Sequence, residues 1–158
     1  LGASLGVLGA QRMLPSLNPE TLLYRQADSA ALAWIQENIP PDETIVINPT
    51  GWGYGLYMGS DGGFWISPLI GRQTMPPNVM YGMDRANRDA INQFVETLLP
   101  IAEDPPALWD LLRSSGYRYI YIGVRGGAIS PQSLRLSPLF TLRYAHQGTW
   151  VFEANPLE

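Results

Sequence analysis

Apolar residues recur at helical spacing in three stretches of the chain and at strand spacing in four. Asp28-Ser29 ahead of Ala30–Asn38 predicts a capped helix with Ala31, Trp34 and Ile35 on one face, closed by Pro40-Pro41. Thr44–Asn48 is short and β-branched between turn residues, which predicts a buried strand of an α/β sheet. Asp84 heads a helix over about 85–99 with Ile91, Phe94, Val95 and Leu98 on its apolar face. Asp104 with Pro105-Pro106 opens another, apolar through Leu108, Trp109, Leu111 and Leu112, and Gly116 ends it. Tyr117–Val124 alternates aromatic and aliphatic residues and is the clearest strand of the chain. Ser130-Pro131 begins a short helical turn to Leu136, and Phe140–Tyr144 and Thr149–Glu153, joined through His146-Gln147-Gly148, predict a hairpin. Between the first strand and the second helix, residues 49–83 are rich in glycine and proline and hold no sustained period. They predict a long loop, with Phe64–Ile66 as the one short strand inside it. The expected fold is therefore a single α/β domain: a small mixed sheet flanked by helices, a long Gly/Pro/aromatic loop and a C-terminal β-hairpin.

A length of 158 residues suits one domain with its own core. The amino end stands apart, because Leu1–Ala10 carries no charge and sets Gly2, Gly6 and Ala10 four residues apart, with Gln11 and Arg12 following as a membrane-interface flank would. Ten apolar residues are too few to span a bilayer, which takes about 20. Residues 1–14 read as the end of a membrane helix, with an ordinary surface helix or a fusion remnant as the alternatives. Pro15 and Pro19 then make 15–27 a linker ahead of an α/β domain over 28–158.

Charge is scarce, at 15% of residues, and the net charge is −4. All ten basic residues are arginine, without the clustered basic surface that grips nucleic acid, which sets that partner class aside. The chain has no cysteine, which excludes disulfides, thiol nucleophiles and thiolate zinc sites, and its one histidine, His146, falls at the tip of the predicted hairpin.

Candidate chemistry concentrates between Ser60 and Asn78. Gly62 and Gly63 allow close backbone approach, Phe64 and Trp65 offer flat apolar faces, and Asp61 and Arg72 supply opposite charges. Asp61 is open to two readings, a proton-transfer group or a turn cap through the two glycines. Arg72 pairs with Asp61 or binds an anionic group. Trp52, Tyr54 and Trp65 either stack on sugar faces or fill core beneath the loop. Gly51-Trp52-Gly53-Tyr54-Gly55 after a strand invites a dinucleotide reading, but Leu56 and Met58 stand where the third glycine is needed. A free-standing hydrolase built on Asp61 requires a second carboxylate within roughly 5–10 Å.

Asp61-Gly62-Gly63-Phe64-Trp65-Ile66, followed in step by Arg72 and Asn78, resembles the Trp-Trp-Asp-Tyr-Gly signature region of the catalytic subunit of oligosaccharyltransferase. Gly59 and Ser60 stand in place of the two tryptophans and Gly62 in place of the tyrosine, the residues that form the family's peptide-acceptor pocket. The order of features along most of the chain is also similar to the carboxy-terminal extracytoplasmic domains of multi-pass bacterial glycosyltransferases that use lipid-linked sugars. That resemblance implies a non-catalytic domain on the extracytoplasmic side of the cell membrane, beside a membrane-embedded part of the same polypeptide. Its 51–78 loop would shape the acceptor or donor side of the active site. Asp61, Gly63, Trp65, Arg72, Asn78, Trp52 and Tyr54 are the implied substrate-binding set, with Asp61, Trp65 and Arg72 facing the membrane-side cleft. It further implies no catalytic residue, cofactor or metal in this domain, and a parent protein drawing on a lipid-linked sugar donor and a divalent metal. The competing expectation is a self-contained carbohydrate- or protein-binding module of an exported protein, using Trp52, Tyr54 and Trp65.

Overall fold

The computed structural model describes residues 22–156, so the expected membrane-helix end at 1–14 and most of the linker lie outside the described residues. Helix α1 spans Gln26–Asn38, strand β1 Ile45–Ile47, β2 Pro49–Gly53 and β3 Leu56–Gly59. A 3₁₀ turn at Gly62–Trp65 runs into α2, Ile66–Ile70, and then β4, Thr74–Met75. After a second 3₁₀ turn at Val79–Met83 come α3, Arg85–Leu98, and α4, Pro105–Ser114. Strand β5, Tyr119–Ile122, the short α5, Pro131–Leu136, and strands β6, Phe140–His146, and β7, Thr149–Ala154, complete the chain.

The main sheet has the order β4-β1-β5-β7-β6. Strand β1 runs parallel to both β4 and β5, with Ile45 opposite Thr74 and Tyr119, while β5 and β6 flank β7 antiparallel. Period-two alternation divides its side chains between two layers. Val46, Ile120, Ile122 and Phe152 face Leu98, Leu108, Leu112 and Leu134 from α3, α4 and α5. Ile45, Ile47, Tyr119, Tyr121 and Val151 face Ala31, Leu32, Ile35 and Ile66 from α1 and α2. A sheet covered on both sides explains why β1 and β5 are apolar throughout.

Local chemistry sets the element ends. Asp84 accepts from the Ala86 amide at 3.1 Å and Asp104 from the Ala107 amide at 3.3 Å, each satisfying a free N–H of the first helical turn. Gly116, with φ +76°, closes α4 in the left-handed conformation that glycine adopts without strain.

The long loop departs from expectation. Phe64 and Trp65 lie in the 3₁₀ turn and Ile66 begins α2, so the short strand predicted there is helical instead. Asp61 decides this, because its carboxylate caps the Gly63 amide at 2.9 Å and starts the turn. Upstream, Pro49–Gly59 folds back on itself as the antiparallel hairpin β2–β3. Helix α1 likewise starts at Gln26, inside the expected linker, and Asp28 sits in its first turn rather than ahead of it.

Candidate functional site

The loops at the carboxyl ends of β1 and β5 converge around Asp61. The chain leaves β1 toward α2 on one face of the sheet and leaves β5 toward α5 on the other. Such a divergence opens the crevice where open α/β sheets commonly take ligands. Here the crevice is filled by the protein's own groups. Asp61 is wholly buried, and its Oδ2 accepts from the Gly123 amide at 2.7 Å and from Asn48 Nδ2 at 3.3 Å, while Oδ1 takes the Gly63 amide. Asn48 in turn accepts from the Ile129 amide at 2.7 Å, tying β1 to the β5–α5 loop. Ser60 Oγ donates to the Gly126 carbonyl at 3.0 Å, and Arg125 donates to the Ser60 carbonyl.

A second carboxylate reaches the same place from α1. Asp28, also wholly buried, accepts from the Arg25 amide at 2.6 Å, from the Val124 amide at 3.4 Å and from the Tyr121 hydroxyl. A Cβ built on Gly123 would stand 3.0 Å from Asp28 Oδ1 and 3.0 Å from Asp61 Cγ, and one on Gly62 would overlap the Asp28 carboxyl. Glycine is therefore required at 62 and 123 for space, not for an unusual φ. Burial pushes the Asp61 carboxyl up to about 6, and Asp28 adds to the rise against the lowering pull of Gly123, Gly63 and Asn48. Burial, and then the Asp28 carboxylate, raise the Tyr121 phenol well above its ordinary range, so it stays protonated and donates.

The remaining members of the expected binding set are distributed elsewhere. Gly63 lies beside Asp61, but a Cβ there would meet Ile47 at 2.8 Å, so its role is close packing. Arg72 lies at the opposite end of the sheet, just ahead of β4, where it donates to the carbonyls of Ile39 and Pro40 behind α1. It is buried and pairs with those carbonyls rather than with Asp61. Asn78 is exposed and caps its own 3₁₀ turn by accepting from the Met80 amide at 3.3 Å. The expectation that Asp61 and Arg72 face a cleft is thus replaced by two separate buried positions, and only Trp65 of that trio reaches the surface.

Trp65 is 38% exposed and its indole is held edge-on between Tyr24, 6.5 Å away, and Phe64, 5.5 Å away. With Leu22, Leu23, Tyr24 and Leu69 it lines an open apolar concavity of about 380 Å³. Trp52 and Tyr54 are exposed on the β2–β3 hairpin, Tyr54 at 97% and with φ +54°. The hairpin is anchored rather than free: Asn92 Nδ2 donates to the Gly55 carbonyl at 2.6 Å, and the Tyr57 amide donates to the Tyr81 hydroxyl at 2.7 Å.

Among the described residues, no three His, Asp or Glu side chains gather as a metal-binding group, and no helix is long and apolar enough to cross a membrane. Asp28, Asn48, Tyr121 and Gly123 are the residues of the cluster that the sequence reading missed. Toward the carboxyl end the next acid is Asp84, whereas the partner in space comes from the opposite direction, on α1. Compared with known proteins, the chain matches no family profile, no curated protein and no solved structure.

Proposed function

We propose that this is a non-catalytic extracytoplasmic domain of a membrane-bound, glycosyltransferase-like protein, where it shapes the acceptor or donor end of an active site completed by the membrane-embedded part of the same polypeptide. The observation that carries the reading is the division within the signature-like loop. Its one carboxylate, Asp61, is buried and saturated with three donors, while Trp65, one of its two aromatic residues, faces outward. Such a loop contributes surface for binding and holds its acid inside the fold. Trp52 and Tyr54 supply further flat surface for sugar rings on the neighbouring hairpin. The lipid-linked sugar donor and the divalent metal belong, in this reading, to the membrane half.

In membranes bearing the complete polypeptide, Trp52→Ala with Tyr54→Ala is expected to lower sugar transfer from a lipid-linked donor roughly tenfold, as loss of one or two stacking contacts would. Undiminished transfer, or a polypeptide that fractionates away from membranes, overturns the proposal. The exposure of Trp52 and Tyr54 also supports the second reading, a self-contained carbohydrate-binding module. Oligosaccharide titration of the isolated chain, followed by tryptophan fluorescence, tests it: saturable quenching lost in Trp52→Ala supports the module, and a flat titration removes it.

A further inference from the structure

We infer that the face formed by Leu22, Leu23, Tyr24, Trp65 and Leu69 rests on a phospholipid surface; the inference builds on the membrane-domain reading and names the part of the domain that meets lipid. Three observations on this face point the same way. Leu22, Trp65 and Leu69 are 46%, 38% and 53% exposed and surround one apolar concavity, so a sizeable apolar surface stands open where burial would be favoured.

The two segments that build the face carry no charge at all. Gly62–Gly71 is ten residues long and Leu22–Tyr24 three, in a chain of which 15% is charged. A tryptophan held edge-on between two other rings, with leucines beside it, is the composition that settles at a membrane–water boundary, apolar body inward and indole N–H at the headgroups.

Position along the chain supplies the third observation. Only seven residues separate Leu14, the end of the apolar amino segment, from Leu22 on this face, a reach of at most about 25–30 Å. If Leu1–Leu14 ends a membrane span, the face cannot lie farther than that from the bilayer surface. A second copy of the chain is a poorer occupant, since stable dimers bury about 800 Å² per partner and this face offers five side chains.

The chain has no cysteine, so Leu69→Cys and, as a control on α5 across the sheet, Leu136→Cys each accept a single bimane label. Both leucines are well exposed, so the label perturbs little core. With phosphatidylcholine–phosphatidylglycerol vesicles containing doxyl-labelled lipid, bimane at position 69 is expected to be quenched roughly twofold or more and at 136 hardly at all. Adding Leu22→Glu to the labelled Leu69→Cys variant is expected to abolish that quenching with circular dichroism unchanged. Absence of quenching at 69, or equal quenching at 69 and 136, overturns the inference while leaving the membrane-domain reading standing. A label shielded in lipid-free solution by dimer formation, detected by sedimentation, overturns it in favour of a second copy. Sugar-transfer loss in Trp52→Ala/Tyr54→Ala is measured independently, so failure of the broader proposal is read separately.

Discussion

The Asp61 junction follows the β2–β3 hairpin directly along the chain, yet the two use glycine and polar chemistry in opposite ways. At the junction, Gly62, Gly63 and Gly123 are small because carboxylates and Ile47 occupy the space a side chain would need. On the hairpin, Gly51, Gly53 and Gly55 have no atom within 4 Å of an added Cβ, and two of the three are glycine because of a positive φ. The contrast teaches that glycine density alone does not locate a ligand site. In one region it marks close packing, in the other open surface.

The sharpest way to break the comparison is Asp61→Ala. It leaves two buried amides and the Asn48 side-chain amide without an acceptor, and a loss of about 4–5 kcal/mol is expected in urea denaturation. A loss below about 1 kcal/mol would mean that the junction is hydrated rather than sealed.

Proton linkage gives the next largest effect. A folded-state value near 6 against an ordinary 3.8 means the folded chain binds the Asp61 proton more tightly than the unfolded chain does. The stabilisation is present in full below about pH 4, declines as pH rises through 6 and is flat above, with a total change of about 3 kcal/mol. Urea midpoints measured between pH 4 and 7 should fall in the native chain and lose that slope in Asp61→Asn. A midpoint that rises over this window contradicts the assignment.

Glycine substitutions sharpen the contrast directly. Gly62→Ala drives a methyl into the Asp28 carboxyl and should cost about 2–3 kcal/mol. Gly51→Ala, with open space and no positive φ, should change stability by less than about 0.5 kcal/mol in the same assay. Smallest of all is Trp52→Ala, whose side chain is largely in solvent: a thermal midpoint within roughly 1–2 °C of the native chain is expected. A large drop would show that the ring supports the hairpin instead of offering a surface.

Elements with strong periodicity and explicit ends are legible in the sequence. Strands β1 and β5, helices α3 and α4 with their aspartate caps, and the β6–β7 hairpin all lie where pattern and capping chemistry place them. Phe64–Ile66 reads as a strand because aromatic and β-branched residues favour strands in general, whereas a single carboxylate capping Gly63 starts a helical turn. Hairpin β2–β3 is hidden because Gly51-Trp52-Gly53-Tyr54-Gly55 lacks an apolar alternation, and part of what anchors the hairpin is a hydrogen bond donated by Asn92 to Gly55 and one donated by the Tyr57 amide to Tyr81. The Asp28–Asp61 pairing is out of reach for a different reason. Asp28 reads as an N-cap, a local role that explains the residue completely, and nothing near it announces a neighbour 33 residues further along the chain.

The Tyr121–Asp28 hydrogen bond spans 93 residues, and this separation sets a timetable for the nascent chain. At a synthesis rate of about 5–20 residues per second, Asp28 is polymerised roughly 5–20 s before Tyr121, whose hydroxyl donates to it. Over that interval α1 carries its carboxylate toward a sheet whose strand β1 has no neighbour yet on the β5 side, so early docking would strand an unpaired acid against apolar surface. Helix α1 is therefore expected to dock late, although it is made early. Released fragments that end before Tyr119 should remain protease-sensitive through α1, and resistance there should appear only in fragments that also contain β6 and β7, on which α1 packs.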